Sequence, residues 1–113
     1  DIHSQYVDGI ESIDGLQIAI IPDFANNNNW MNILQINENM YGYGKDILMT
    51  RLEKEGIQTR PVWYLNHLQK PYKNCRSFET SNAQILVENS LCIPSSINLD
   101  KEKIIKILYI LEL

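Results

Sequence analysis

Apolar residues recur along this chain at two spacings, and the spacing sets the element. Ile2, Tyr6 and Ile10 lie four apart, which predicts an amphipathic helix at the start. In "GLQIAII", residues 15 to 21, the step drops to two, so Leu16, Ile18 and Ile20 share one face of a strand that Pro22 and Asp23 end. "FANNNN" follows with turn chemistry, and a solvated loop is expected for Asn26 to Asn28. "WMNILQIN", residues 30 to 37, is the next strand. Trp30, Asn32, Leu34 and Ile36 fall on one face and Met31, Ile33 and Gln35 on the other. Apolar side chains on both faces predict an inner strand.

"NMYGYG" reads as a loop, its glycines permitting positive φ. "KDILMTRLEKEG" reads as a helix with Leu48 and Leu52 one turn apart and Gly56 as the C′ residue. A strand restarts at Ile57, and Pro61 closes it or places it on an edge. "RPVWYLNHLQKPYKN", residues 60 to 74, is too irregular for a helix stripe and too proline-broken for an inner strand. Ser81 and Gln84 form a capping-box pattern ahead of a helix that carries Ala83, Leu86, Val87 and Ser90 on one face. "LCIP" is a short strand stopped by Pro94. Asp100 is placed to cap the last helix, with Ile104, Ile105, Leu108 and Leu111 inward and Lys103, Lys106 and Tyr109 outward. This order predicts an α+β fold, a small antiparallel sheet with helices mostly on one side.

Length and composition narrow the classes. At 113 residues the chain is expected to be one domain, residues 1–113. A net charge of −4, from 10 basic and 14 acidic residues, argues against nucleic acid as a partner. No apolar run approaches the roughly 20 residues that cross a bilayer, so no membrane partner is expected. Cys75 and Cys92 can pair in an oxidising compartment or stay free. With no secretory n-region or h-region, a cytoplasmic setting is the simpler expectation. The opening "DIHSQYVDGIESI" shows no cap before its helical residues, and a piece cut from something longer is expected. There is no G-x-G-x-x-G, P-loop, C-x-x-C or H-E-x-x-H pattern, and no metal site is expected.

Four stretches carry a resemblance, the first being the entry helix with "GIESIDGLQI". "EKEGIQTRPVWYLNHLQKPYKN" resembles a helix, glycine, strand and Arg/His loop of the DegT/DnrJ/StrS sugar aminotransferases. "NNWMNILQIN" is similar to that family's aromatic strand, and "LCIPSSINLDKEKIIKIL" to its closing strand, turn and helix. The form with "RP-x-W" before the histidine resembles the subgroup that aminates UDP-linked 4-keto sugars for bacillosamine, legionaminic acid and other surface-glycan or lipopolysaccharide pathways. The resemblance covers nearly the whole chain in the right order. It implies the C-terminal small domain of a fold-type-I pyridoxal 5′-phosphate (PLP) transferase that moves an amino group, expected from glutamate, to a UDP-linked 4-keto-6-deoxy sugar. It also implies a homodimer, and a large domain that precedes residue 1 and holds the Schiff-base lysine. No catalytic and no cofactor-binding residue is therefore expected here, and the piece by itself is expected to be inactive and without bound PLP. Two other readings stay open: a stand-alone α+β module that binds a sugar nucleotide or a protein, and a regulatory family member without the lysine.

The resemblance gives the loop a purpose, since a nucleotide sugar offers hydroxyls, an acetamido group and a diphosphate. Arg60 is the first candidate, because its planar fork suits phosphate or carboxylate; a surface arginine pairing with a nearby carboxylate is the competing role. His67 is placed as a substrate contact rather than a general base. Trp63 packs in the core or lines a pocket. Trp30 is expected to anchor the sheet near the domain interface. Asn29 and Gln69 complete the substrate-binding candidates. Tyr64, Tyr72 and the lysines of "QKPYK" are expected to be ordinary loop residues.

Overall fold

A computed structural model of the chain describes residues 1–113. The elements are α1 (Ile2–Ile10), β1 (Leu16–Ile18), β2 (Asn32–Ile36), α2 (Glu38–Tyr41), α3 (Lys45–Lys54), β3 (Arg60–Pro61), α4 (Ser81–Glu88), β4 (Ser90–Ile93) and α5 (Lys101–Glu112). Two 3₁₀ turns, Asn66–Leu68 and Lys70–Tyr72, lie between β3 and α4. The strands form one antiparallel sheet in the order β1-β2-β4-β3. The chain is thus α+β, with β2 an inner strand and Pro61 on an edge strand, where a missing N–H costs no ladder bond.

The core lies between this sheet and α1, α3 and α5. Tyr6 and Ile10 come from α1, Leu48 and Leu52 from α3, and Leu34 and Leu91 from the two inner strands. α1 and α5 approach closely at Gly9, where an added Cβ would collide with the Leu108 side chain. Gly56 follows α3 at φ 76°, the left-handed conformation of a C′ glycine. Asp100 caps α5 by accepting from the Lys103 N–H at 2.9 Å.

Several expectations fail for local reasons. α1 does have a cap: the Asp1 side chain accepts from the His3 N–H at 3.0 Å. "NMYGYG" contains the end of the short helix α2, because the Asn37 side chain caps it and Gly42, at φ 89°, closes it. β1 ends at Ile18, so Ile20 is 77% exposed rather than on the buried face. β2 begins at Asn32 and excludes Trp30, which is 64% exposed and does not anchor the sheet. β3 starts at Arg60, not Ile57. Ser81 is already helical, and Thr80 holds the N-cap position without a side-chain bond, so no capping box forms. α4 buries none of its residues. In α5 the buried stripe is Ile104, Ile107, Ile110 and Leu111; Ile105 faces out and Leu108 is half-buried. No helix is long and apolar enough to cross a membrane.

Candidate functional site

Strand pairing assembles a cleft at one end of β4. β3 pairs with β4 so that Arg60 lies opposite Cys92, while β2 pairs on the other side with Asn32 opposite Ile93. Residues flanking both neighbours therefore meet around the Pro94–Ser96 segment. The cleft has a volume of about 460 Å³ and is lined by Trp30, Met31, Gln58, Arg60, Cys92, Ile93, Pro94, Ser95 and Ser96.

Arg60 is the one charged side chain in this lining. It takes part in neither ion pair of the chain, Lys103–Asp100 or Lys106–Glu55. The carboxylate partner of an ordinary surface arginine is absent, and the guanidinium fork is free for an anion. Trp30 supplies an exposed indole to the same cleft. The loop before it is held by its own side chains: Asn27 Oδ1 accepts from the Asn29 N–H at 3.0 Å, and Asn28 Oδ1 from the Trp30 N–H at 3.1 Å. Asparagine 27 and 28 thus shape the loop rather than merely solvating it. Asn29 sits at φ 57°, a left-handed conformation that asparagine tolerates.

The remaining polar groups of the cleft are ill suited to proton transfer. Burial pushes the Cys92 thiol above its ordinary range, which keeps it protonated. Ser95 Oγ donates to the Ile93 carbonyl at 3.0 Å and accepts from Asn32. No group in this lining has the character of a general base.

The sequence candidates divide. Trp30 and Arg60 share the cleft, and Asn29 lines a neighbouring cavity of about 320 Å³. Trp63, His67 and Gln69 lie outside the cleft lining. Trp63 is 63% exposed, not in the core. His67 is half-buried in the first 3₁₀ turn. Gln69 donates to the Tyr64 carbonyl at 3.1 Å and to Asn66 Oδ1 at 3.2 Å, so its donors brace the loop. Gln58, Ser95 and Ser96 line the cleft but were not anticipated from sequence. The edge pairing of "RP" with "LCIP" is the signal that would have found the two serines.

The model of the DegT/DnrJ/EryC1/StrS aminotransferase family matches residues 1–112. The chain belongs to this family. Solved structures agree in fold. DesI, determined in the presence of its TDP-sugar product, superposes with a TM-score of 0.87 at 22% identity, over 98% of this chain and 29% of that one. The aminotransferase TlmJ from Streptoalloteichus hindustanus gives 0.82 at 19% identity, over 98% and 29%. Helicobacter pylori PseC, an aminotransferase involved in pseudoaminic acid biosynthesis, gives 0.80 at 13% identity, over 97% and 30%. The chain therefore spans under a third of the length of these proteins.

The cleft does not fit PLP. An aldehyde cofactor needs a lysine amine placed beside the substrate, and no lysine lines the cleft. Lys45 Nζ donates to the Val87 carbonyl at 2.8 Å, Lys106 Nζ to the Glu55 carbonyl at 2.8 Å, and Lys103 Nζ to Asp100 at 2.7 Å.

Proposed function

We propose that residues 1–113 serve as the C-terminal small domain of a PLP-dependent nucleotide-sugar aminotransferase, with the Arg60–Trp30 cleft contacting the sugar nucleotide. The observation that carries this reading is an unpaired guanidinium beside an exposed indole in one cleft. The fork suits a diphosphate, and the indole suits the apolar face of a sugar ring. Family membership and the TDP-sugar product of DesI support a nucleotide sugar as substrate class. The finer assignment is transfer from glutamate to a UDP-linked 4-keto-6-deoxy sugar, for surface-glycan or lipopolysaccharide biosynthesis in the cytoplasm. PLP, the electron sink and amino carrier of such enzymes, belongs in this reading to a large domain outside residues 1–113. The small domain contributes substrate position and exclusion of water. The parent is a homodimer in this reading.

The test uses the full-length parent with Arg60→Ala and His67→Ala. A lost charge-assisted contact is worth about 1.5–3 kcal/mol, so kcat/KM for the keto-sugar should fall roughly ten- to two-hundred-fold in Arg60→Ala. His67 lies outside the cleft lining, so His67→Ala should lower kcat/KM less than Arg60→Ala, and the half-reaction with the amino donor should change less in both. If both folded variants turn over the keto-sugar at the parent rate, these side chains are structural and the reading fails.

A further inference from the structure

The two edges of the sheet are guarded differently. β3 carries Pro61, which has no N–H to offer, and the exposed cation Arg60; both discourage a further strand from docking. β1 has no such guard, because from Gly15 to Ile21 the chain has neither charge nor proline. β1 pairs with β2 alone, so its other side is open. Hydrogen bonds show which backbone groups look that way. The Gly15 carbonyl accepts from the Asn37 N–H at 2.7 Å, and the Ala19 N–H donates to the Ile33 carbonyl at 2.9 Å. Gly15, Gln17 and Ala19 therefore turn their backbone groups to β2, and alternation turns those of Leu16, Ile18 and Ile20 outward. The Leu16 N–H is already engaged by the Ile13 carbonyl at 3.2 Å. In chain order the edge thus offers an acceptor at Leu16, a donor and an acceptor at Ile18, and a donor at Ile20.

Turned end for end about Ile18, this order maps onto itself. The Leu16 carbonyl meets the Ile20 N–H of a second copy, and the two Ile18 residues exchange both their bonds. The Ile20 carbonyl, opposite the engaged Leu16 N–H, stays in water. Such a contact is isologous, the same patch on each copy. The side chains fit the same operation. Ile20 is 77% exposed, and Val7 on α1 is exposed too. Between α1 and β1 runs a groove of about 480 Å³ with Val7, Ile10 and Leu16 in its lining. Leu16 is the residue that this pairing sets opposite Ile20 of the second copy, so each Ile20 reaches the groove of the other. One surface carries both the projection and the recess that receives it, and a second copy supplies both at once.

We infer that two copies of this chain pair antiparallel through their β1 edges, centred on Ile18, into one continuous sheet, with each Ile20 seated in the α1–β1 groove of the other copy. The contact uses neither Arg60 nor Trp30, and it stands or falls independently of the nucleotide-sugar reading.

The test is sedimentation and amide hydrogen exchange of the 113-residue chain. A contact this short predicts weak, reversible association, so the chain should pass from monomer to dimer between about 1 μM and 1 mM. The Ile18 and Ile20 amides should exchange freely in the monomer and gain protection as the dimer fills. Ile20→Lys, at a well-exposed side chain, should keep the fold and raise the dissociation constant about a hundredfold or more, because the twofold removes the buried isoleucine twice. Ile20→Pro, which deletes the outward N–H, is the second variant if the first does not fold. Leu86→Lys, on the exposed face of α4, should leave the dimer unchanged. A chain that stays monomeric over this range would overturn the pairing. So would Ile18 protection that does not depend on concentration, which would give the edge to a segment of the same chain. A dimer that leaves the Ile18 amide unprotected, survives the folded Ile20 variant or is dispersed by Leu86→Lys would overturn it as well.

Discussion

The packed part of this chain and the segment between α3 and β4 follow different rules. Every buried residue lies in the first; from Glu53 to Asn89 not one is buried. In the packed part, α1, α3 and α5 close on the sheet, and periodic apolar positions do the work. In the segment, shape comes from local bonds. Leu68 donates to Leu65, Gln69 to Asn66, Tyr72 to Gln69 and Cys75 to Tyr72, each three residues back. Pro61 and Pro71 fix φ within the same stretch. Large apolar side chains of the segment, among them Trp63, Phe78, Ile85 and Leu86, stay exposed, while Ile57, Val62, Leu65 and Val87 are half-buried. Periodicity in a sequence therefore reports that a face wants cover, and says nothing of whether the same chain supplies it.

The largest effect should come from emptying the packed part. Leu34→Ala, at a side chain with no exposure, removes transfer energy and leaves a cavity, for a loss of about 2–5 kcal/mol. Leu86→Ala, on the uncovered face of α4, should change stability by no more than about 0.5 kcal/mol. Urea unfolding of both variants checks the contrast. Equal losses would mean that α4 is packed within the chain after all.

How much of this was legible follows from the same contrast. Tyr6 and Ile10, Leu16 and Ile18, and Leu48 and Leu52 were found because one-sided burial imposes a spacing. The phase of α5 was misread because Ile104, Ile105, Ile107, Leu108, Ile110 and Leu111 are all apolar, and a stripe that wide does not mark its own centre. α4 shows a proper stripe that nothing here covers. Alternation put Asn32 on the face of Leu34 and Ile36, but what satisfies a buried amide there was not legible, since its partners Ser95 and His3 are distant in sequence. Arg60 and Trp30 were legible as residue types suited to a sugar nucleotide. Their meeting was not, because it depends on β2 and β3 flanking β4, a long-range pairing that neither local pattern reveals.

A second contrast concerns the tryptophans. Trp30 and Trp63 are the only two in the chain, and both are well exposed. Emission from the 113-residue chain should be solvent-like and readily quenched by acrylamide. If the chain is the small domain of a longer enzyme, as proposed, a surface that covers the segment there should move emission to the blue and protect it. Identical quenching in the two proteins would remove the idea that this face is covered.

Within the packed part, Tyr6 links α1 to the turn after β4 by donating to the Pro94 carbonyl at 3.0 Å. Tyr6→Phe strands that carbonyl and should cost about 1 kcal/mol. Burial raises the Tyr6 phenol well above its ordinary value of about 10. The folded state then holds a proton that the unfolded chain releases. This contribution is complete below the unfolded value and is lost as pH rises above about 10. Tyr41 and Cys92, raised by burial too, act with the same sign. Stability measured from neutral pH upward should fall more steeply for the parent chain than for Tyr6→Phe; parallel curves would place the phenol in contact with water.

The smallest effect separates two helix starts. Asp100 caps α5 with a bond to the Lys103 N–H, whereas Thr80 stands at the start of α4 with no side-chain bond. Asp100→Ala removes an acceptor from the first turn of a helix that carries core residues, so the whole fold should lose stability, by less than Leu34→Ala. Thr80→Ala removes no bond and should be nearly silent. Asp100 also carries its own pH signature. Its hydrogen bonds from Lys103, side chain and backbone, hold the carboxyl below its ordinary range. A depressed folded value stabilises above the unfolded value, near 3.9, and the benefit disappears as pH falls through the folded one. The difference between the parent chain and Asp100→Ala should therefore be steady at neutral pH and shrink below about pH 4. Thermal unfolding of both cap variants at neutral and acid pH measures this. A Thr80→Ala loss as large as that of Asp100→Ala, or a difference at Asp100 that persists in acid, would show that the two helix starts are not held in the different ways described.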